Sequence, residues 1–319
     1  MKKKIFVTGG TGFIGSNICK YLVNIGHKVT ILDNNSRGKN RRIKDISKKI
    51  KFIKGDIRDR KVIFKSLKNI DLVIHLAYVN GTKYFYSKPT EILDIAVKGL
   101  INIFDASIKY KIPEMILASS SEVYQTPLKV PTEEDEPLKI PNIFNPRYTY
   151  GGGKILTELY GANFGKKYFK RLIIFRPHNV YGKDMGNEHV IPELIQKISK
   201  IKKKNGKIKI YGTGNEIRSF IHIDDFIKAF DCIFRKGSHL SIYNIGTQKK
   251  IKIRDLVKLI IRKMGKNLKI TKSSKMKGGT NIRCPNISKI NKLGFKDRIS
   301  LDVGIQKILK EKNLLFSKD

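Results

Sequence analysis

The sequence predicts an α/β fold, a doubly wound parallel sheet followed by a smaller second domain. Three observations carry that expectation. Apolar runs of strand length alternate with amphipathic stretches of helix length from Lys3 to Arg176, the pattern of βαβ units whose sheet is covered on both faces. The first run is followed at once by a glycine-rich turn, Gly9-Gly10-Thr11-Gly12-Phe13-Ile14-Gly15. The chain has 319 residues, 40% of them apolar and 29% charged. That is ordinary globular composition, with room for two modest domains or one large one.

Taken in order, Lys3–Thr8 (KKIFVT) is the first strand, and Ile14, Ile18, Leu22 and Val23 recur at helical spacing behind the turn. Lys28–Asp33 (KVTILD) is the second strand, and Lys51–Lys54 (KFIK), running into Gly55-Asp56, is the third. Asp71–Leu76 (DLVIHL) and Glu114–Ser119 (EMILAS) are the fourth and fifth, with helix-like stretches at Arg60–Lys68 and Pro89–Tyr110. A helix over Tyr150–Phe169 leads to a sixth strand, Leu172–Arg176 (LIIFR). Beyond Pro177, turn signals cluster at Gly182, Gly186, Gly206, Gly212 and Gly214. Helices are expected at Ile191–Ile201, Asp224–Phe234, Arg254–Met264 and Ser300–Lys312, one more strand at Leu240–Ile245, and a Lys-rich stretch around Gly278-Gly279. The division that follows is a sheet domain over 1–176 with a return segment at about 221–246, and a smaller domain from 177–220 and 247–319. A ligand belongs in the crevice between them, at the carboxyl edge of the sheet.

Lysine and arginine number 66 against 27 acids, a net charge of +39. Such a surplus suits nucleic acid or anionic lipid. Yet 52 of the basic residues are lysines scattered along the chain beside abundant isoleucine and asparagine, three residues with AT-rich codons. The densest runs, Lys202-Lys203-Lys204 and Lys48-Lys49, lack the interleaved aromatics of a nucleic-acid face. Compositional drift accounts for the charge, and no specific nucleic-acid partner is expected. Three widely spaced cysteines, Cys19, Cys232 and Cys284, form no disulfide framework or metal clip and suit a reducing cytoplasm. No apolar run approaches the roughly 20 residues of a membrane span. The basic start resembles a signal peptide only until glycines interrupt its apolar stretch, so a cytoplasmic protein is expected. His178, His189 and His222 have no ligand spacing, and no metal is expected. His75 reads as a structural, hydrogen-bonded histidine.

The glycine turn lies directly after a strand and opens a helix. Glycines there permit the tight turn and bring a pyrophosphate close to the backbone at a helix N-terminus. Asp33 ends the next strand, 18 residues beyond Gly15, where an acid accepts ribose hydroxyls. It favours NAD, because a 2′-phosphate would meet its charge; Arg37 is a mild signal the other way. Asp56, after the third strand, is a partner for the adenine or else a helix N-cap. Tyr150 and Lys154 stand four apart, on one helical face, so an ammonium can lower the phenol's pKa toward the range of acid/base work. That spacing is common by itself. Ser119-Ser120-Ser121-Glu122-Val123-Tyr124 adds weight by placing hydroxyls at the carboxyl end of the sheet.

In this order TGGTGFIG, LDN, GDIRD, HLA, SSSEVY, YGGGK, RPHNVYG and RSFIHIDD resemble the extended short-chain dehydrogenase/reductase family, and more closely its nucleotide-sugar epimerases and dehydratases. The matches run from Lys3 to about Phe295. The resemblance implies a Rossmann domain with a small C-terminal substrate domain, usually a homodimer through two helices of each subunit. It implies NAD as cofactor, held by Gly9, Gly12, Phe13, Ile14, Gly15, Asp33, Asp56, Ile57, Leu76 and Ala77 together with Tyr150 and Lys154. Tyr150 would be the general base at the C4 hydroxyl of a nucleoside-diphosphate sugar, Lys154 the setter of its pKa and a ribose ligand, and Ser120 the hydroxyl partner. Ser121 would face the sugar, Asn179 the diphosphate side, and Arg218 and Arg283 would clamp the diphosphate, a task suited to guanidinium.

Two departures from the family pattern matter. Gly151-Gly152-Gly153 stand between Tyr150 and Lys154; they are weak in a helix interior but would let substrate or cofactor approach. Glu122 stands where 4-epimerases mostly carry a small or neutral residue. Ser120-Ser121-Glu122 and Pro146-Arg147 look more like GDP-mannose dehydratases and UDP-glucuronate decarboxylases, where such a Glu takes the C5 proton or orients the acid. A Glu folded into a hydrogen bond is the plainer alternative. The expected activity is an NAD-dependent nucleotide-sugar epimerase/dehydratase passing through a 4-keto sugar, with a UDP-glucose-type 4-epimerase first and a 4,6-dehydratase or decarboxylase second. A non-catalytic NAD- or RNA-binding relative is the remote alternative, opposed by the intact Tyr150, Lys154 and Ser120.

Overall fold

The computed structural model describes residues 2–202, 205–273 and 280–315. Lys203, Lys204 and the Gly278-Gly279 stretch lie outside them. Seven strands build the main sheet: β1 (Lys4–Thr8), β2 (Lys28–Asp33), β3 (Ile50–Lys54), β4 (Leu72–His75), β5 (Glu114–Ala118), β6 (Arg171–Pro177) and, after an excursion, β11 (Ser241–Ile245). Their order is β11-β6-β5-β4-β1-β2-β3, and every neighbouring pair is parallel. This is the Rossmann-like doubly wound sheet, whose order reverses between β1 and β4. A ligand crevice opens at such a switch point.

The apolar runs explain the layers. Side chains alternate across a strand, so Ile5 and Val7 join one core with Ile74, Ile116, Ile173 and Phe175. Phe6, Val73, Met115 and Leu117 join the other. The first face is covered by α1 (Phe13–Asn24), through Ile18 and Leu22, and by the later helix α8 (Ile223–Lys236). The second carries α2 (Arg60–Ser66), then α3 (Thr82–Ser87) and α4 (Pro89–Asp94), α5 (Leu100–Lys109) and α6 (Thr149–Tyr168). The stretch expected as one helix from Pro89 to Tyr110 is helical throughout, but its middle, Ile95–Gly99, widens into a π turn between α4 and α5. Gly99 packs there against Ile57, which a Cβ would strike at 2.2 Å.

The part beyond Pro177 is more regular than its turn signals suggest. It holds β7 (Val180–Tyr181), α7 (Val190–Lys200), β8 (Asn205–Tyr211), β9 (Ile217–Ser219), β10 (Ile221–His222), β12 (Lys250–Lys252), α9 (Ile253–Lys263), β13 (Asn267–Ser273), β14 (Ile282–Arg283), α10 (Ser288–Asn291) and α11 (Leu301–Glu311). β8 pairs in parallel with β13, and β9 lies between β12 and β14. A third core, with Leu194, Ile198, Ile210, Val257, Ile260 and Ile308, joins α7, β8, α9 and α11. Among the described residues no helix is long and apolar enough to cross a membrane.

Candidate functional site

The carboxyl ends of the sheet strands open into one cavity of about 590 Å³. It reaches from the glycine turn to the loops after β4 and β5, then to α6 and on to Arg218 and Arg283. Gly9, Gly12, Phe13, Ile14, Gly15, Asp33, Asp56, Ile57, Leu76 and Ala77 all line it, as do Ser121, Glu122, Tyr150, Lys154, Asn179, Arg218 and Arg283. Ser120, between two of the residues at the cavity, is buried and hydrogen-bonds the Tyr150 phenol.

The turn fits a dinucleotide. Gly9 has φ +73°, and a Cβ on it would stand 2.8 Å from the Ala77 nitrogen. A Cβ on Gly15 would meet the Gly9 carbonyl oxygen within bonding range, at 2.1 Å, so only glycine lets α1 start this close to β1. The start of α1 carries no side-chain cap, leaving its first amides to an anion. Asp33 is buried, and its carboxylate accepts from the Thr11 and Asn35 amides at 3.0 and 2.8 Å. Asp56 accepts from the Arg58 amide and guanidinium and from Asn34. The Arg58 hydrogen bonds hold its carboxyl down at about 2. It is not the helix cap: Asp59 accepts from the Val62 amide at 3.1 Å and caps α2.

His75 is a structural histidine. It is buried, bonds Thr8 Oγ1 at 2.8 Å, and burial pushes its pKa down to about 3. The same Thr8 hydroxyl accepts from the Leu76 and Ala77 amides, 3.1 Å each, fixing the chain where it leaves β4. Among the described residues no group of three His, Cys, Asp or Glu side chains could hold a metal. His222 instead caps α8, accepting from the Asp224 amide.

Tyr150 and Lys154 share the buried face of α6, as their spacing predicts. Their electrostatics differ from that expectation. The Lys154 ammonium donates to the Ala118 carbonyl at 2.7 Å and lies 4.0 Å from the centre of the Tyr78 ring. Burial lowers its pKa to about 7, opposed by Glu158. The Tyr150 phenol is pushed well up by burial; a hydrogen bond with Ser120 works against this and the Glu122 charge reinforces it. The ammonium is engaged by the end of β5, one turn along α6 from the phenol. Protein atoms fill the space left by the glycine triplet. A Cβ on Gly151 would meet the Gln125 amide at 2.7 Å, one on Gly153 the Tyr78 hydroxyl at 1.9 Å, and one on Gly152 would touch Ile140 at 3.3 Å.

Glu122 makes a two-point ion pair with Arg283, 2.6 and 3.1 Å, with Arg147 3.7 Å away. Burial disfavours its charge, but Arg283, then Arg147 and Arg218, outweigh burial and leave the carboxyl below its usual range. Arg218 donates to the carbonyls of Ile217, Asn281 and Thr280. Burial and Arg283 lower it to about 10. Asn179, at φ +39°, donates to the Ser219 carbonyl. Ser120 Oγ accepts from the Glu122 amide at 3.1 Å and hydrogen-bonds the Tyr150 phenol.

The structure adds residues that the motifs do not name. Tyr78 and Phe85 line the cavity against the Tyr150 ring. Glu158, one turn beyond Lys154, is buried with Ser119 and Arg176; an acid four residues after a buried lysine was a readable signal. Tyr78 and Phe85 follow a strand in a segment with no period, so nothing in the sequence sets them apart from core.

Comparison with known proteins agrees with this geometry. The model of the NAD dependent epimerase/dehydratase family matches residues 5–246. A Methanocaldococcus jannaschii protein bearing a provisional UDP-glucose 4-epimerase name is 32% identical over 96% of this chain and 97% of its own. A dTDP-D-glucose 4,6-dehydratase from Dictyostelium discoideum is 32% identical over 81% of this chain and 62% of its own. The crystal structure of the Thermotoga maritima UDP-glucose 4-epimerase with UDP-glucose superposes with a TM-score of 0.87 at 26% identity, covering 97% of this chain and 98% of that one. A cavity at the switch point of a doubly wound sheet, a dinucleotide turn and a buried Tyr–Lys pair thus coincide with a match over most of the sequence: the chain belongs to the NAD dependent epimerase/dehydratase family.

Proposed function

We propose that this protein is a 4-epimerase of a UDP-sugar of the glucose type. The observation that carries the reading is the engagement of Glu122. A 4,6-dehydratase needs a base at C5, and a carboxylate in a two-point ion pair with Arg283, below its usual range, is a poor one. A 4-epimerase needs no base there. The match to the provisional M. jannaschii epimerase along nearly the whole chain supports the same reading.

When bound, NAD supplies reversible two-electron oxidation of the sugar's C4 carbinol. Tyr150 exchanges the C4 hydroxyl proton, and Ser120 steadies the phenolate by its hydrogen bond. Burial keeps the Tyr150 phenol neutral at rest, with Lys154 one turn along the same buried face of α6. Ser121 and Asn179 face the sugar and diphosphate, and Arg218 with Arg283 draws the diphosphate in. Residues 1–176 with 221–246 form the cofactor domain, and the remainder of the chain the substrate domain. Leu93, Val97 and Leu159, exposed on contacting helical stretches, belong to a homodimer seam. The enzyme works in the cytoplasm.

The test is purified protein with UDP-glucose in deuterated water, its product read by NMR and mass. Expected is UDP-galactose with no added mass, because epimerisation leaves the C5 proton untouched. A second reading, the 4,6-dehydratase, is favoured by the presence of Glu122 at the cavity wall; it requires deuterium in the sugar and loss of water, and that outcome overturns the epimerase. Release of carbon dioxide from UDP-glucuronate does so too.

Asp33 sets the cofactor preference in this reading. Asp33→Ala should narrow the preference for NAD over NADP, because the carboxylate both accepts ribose hydroxyls and repels a 2′-phosphate. Calorimetric titration with each dinucleotide measures it. Tighter NADP binding by the wild type would overturn the assignment and point to Arg37.

A further inference from the structure

Tyr78 leaves β4 directly into the cavity and touches both members of the acid/base pair. Its ring centre lies 4.0 Å from the Lys154 ammonium, well inside the range of a cation–π contact. The same ring meets Tyr150 edge-on, with centroids 5.1 Å apart and planes at 88°. Phe85 stacks on the Tyr150 ring, 5.1 Å away at 18°. The Tyr78 hydroxyl is buried and has no hydrogen-bond partner among the described residues. It occupies the notch left by Gly153, where a Cβ would stand 1.9 Å away, with Ala96 closing the other side.

We propose that Tyr78 is a positioning residue of this site: its ring face carries the Lys154 ammonium, and its perpendicular contact holds the Tyr150 ring. The proposal rests on Tyr150 and Lys154 being the reacting pair. The physical need is visible in the surroundings of Lys154. Its side chain is buried, and burial works against its charge. Glu158, on its own helix, is the acid that favours the charge. His75 faces it from β4 and is held neutral, Tyr150 and Tyr78 are neutral phenols, and the Ala118 carbonyl receives one of its hydrogens. Glu122, across the site, acts on Tyr150. The quadrupole of the Tyr78 ring is therefore a main support of the buried ammonium.

The test replaces the ring electronics and keeps its shape. Position 78 is made Tyr, Phe or pentafluorophenylalanine in the full chain, and melting curves confirm that each variant folds. Trace acetylation with acetic anhydride across the neutral pH range, with the Lys154 peptide quantified by mass spectrometry, then gives the titration of that one lysine without any substrate. The expected result is a Tyr78→Phe midpoint equal to the wild type's. The pentafluoro variant should titrate lower by roughly half a unit or more, because a ring with a reversed quadrupole repels the ammonium. A ring that only packs would leave all three midpoints together, and that result overturns the proposal. Failure of the UDP-sugar reading would instead show in the product assay and leave the lysine titration as expected.

Discussion

Tyr150→Phe is expected to bind the dinucleotide as the wild type does and to lose turnover by at least about 100-fold, the usual scale for a positioned acid or base. The substitution removes one oxygen from a ring whose place is fixed by others: Phe85 stacks on it and Tyr78 meets it edge-on. Shape and burial therefore persist. What disappears is the group that hydrogen-bonds Ser120 and exchanges the substrate proton. Because Tyr150 belongs to the second-face core as well as to the cavity, binding must be measured beside turnover. Loss of turnover with dinucleotide affinity kept locates the effect in chemistry, whereas turnover within a few-fold of wild type would remove Tyr150 from the reaction.

The first half of the fold was legible because strands buried on both faces read as short apolar runs. KIFVT, KVTILD and LVIH could hardly be anything else between helix-period stretches. The second half was less legible for two physical reasons. Strands of two or three residues, such as β7, β9 and β14, are too short to show a period. β8 and β13 are lysine-rich, and each finds its partner some sixty residues away, so no local hairpin signal marks them. At the site, spacing placed Tyr150 and Lys154 on one face, yet it could not say where the ammonium would turn. Only packing decides that, through Ala118 and Tyr78. Glu122 shows the same limit, since its motif names a base while Arg283, 161 residues along the chain, holds it as a paired carboxylate.

Arg176→Met is expected to cost about 3–5 kcal/mol of folding stability, the scale for removing one partner of a buried ion pair. The Arg176 and Glu158 side chains are 2% and 5% exposed. The guanidinium takes both carboxylate oxygens, at 2.8 and 2.5 Å, and also donates to the Tyr124 hydroxyl and the Glu134 carbonyl. Without it Glu158 remains buried, keeping the Ser119 hydroxyl as its hydrogen-bond partner among the described residues. Urea unfolding midpoints measure the loss, and a change below about 1 kcal/mol would mean that water reaches the carboxylate. Replacing both partners, Arg176→Met with Glu158→Leu, should restore much of the stability, because neither charge is then stranded. Turnover should not return with it. Glu158 stands one turn from Lys154, favours its charged form, and anchors Ser119 beside Ser120; a well-folded double variant that stays slow would show that this pair orders the site as well as the core.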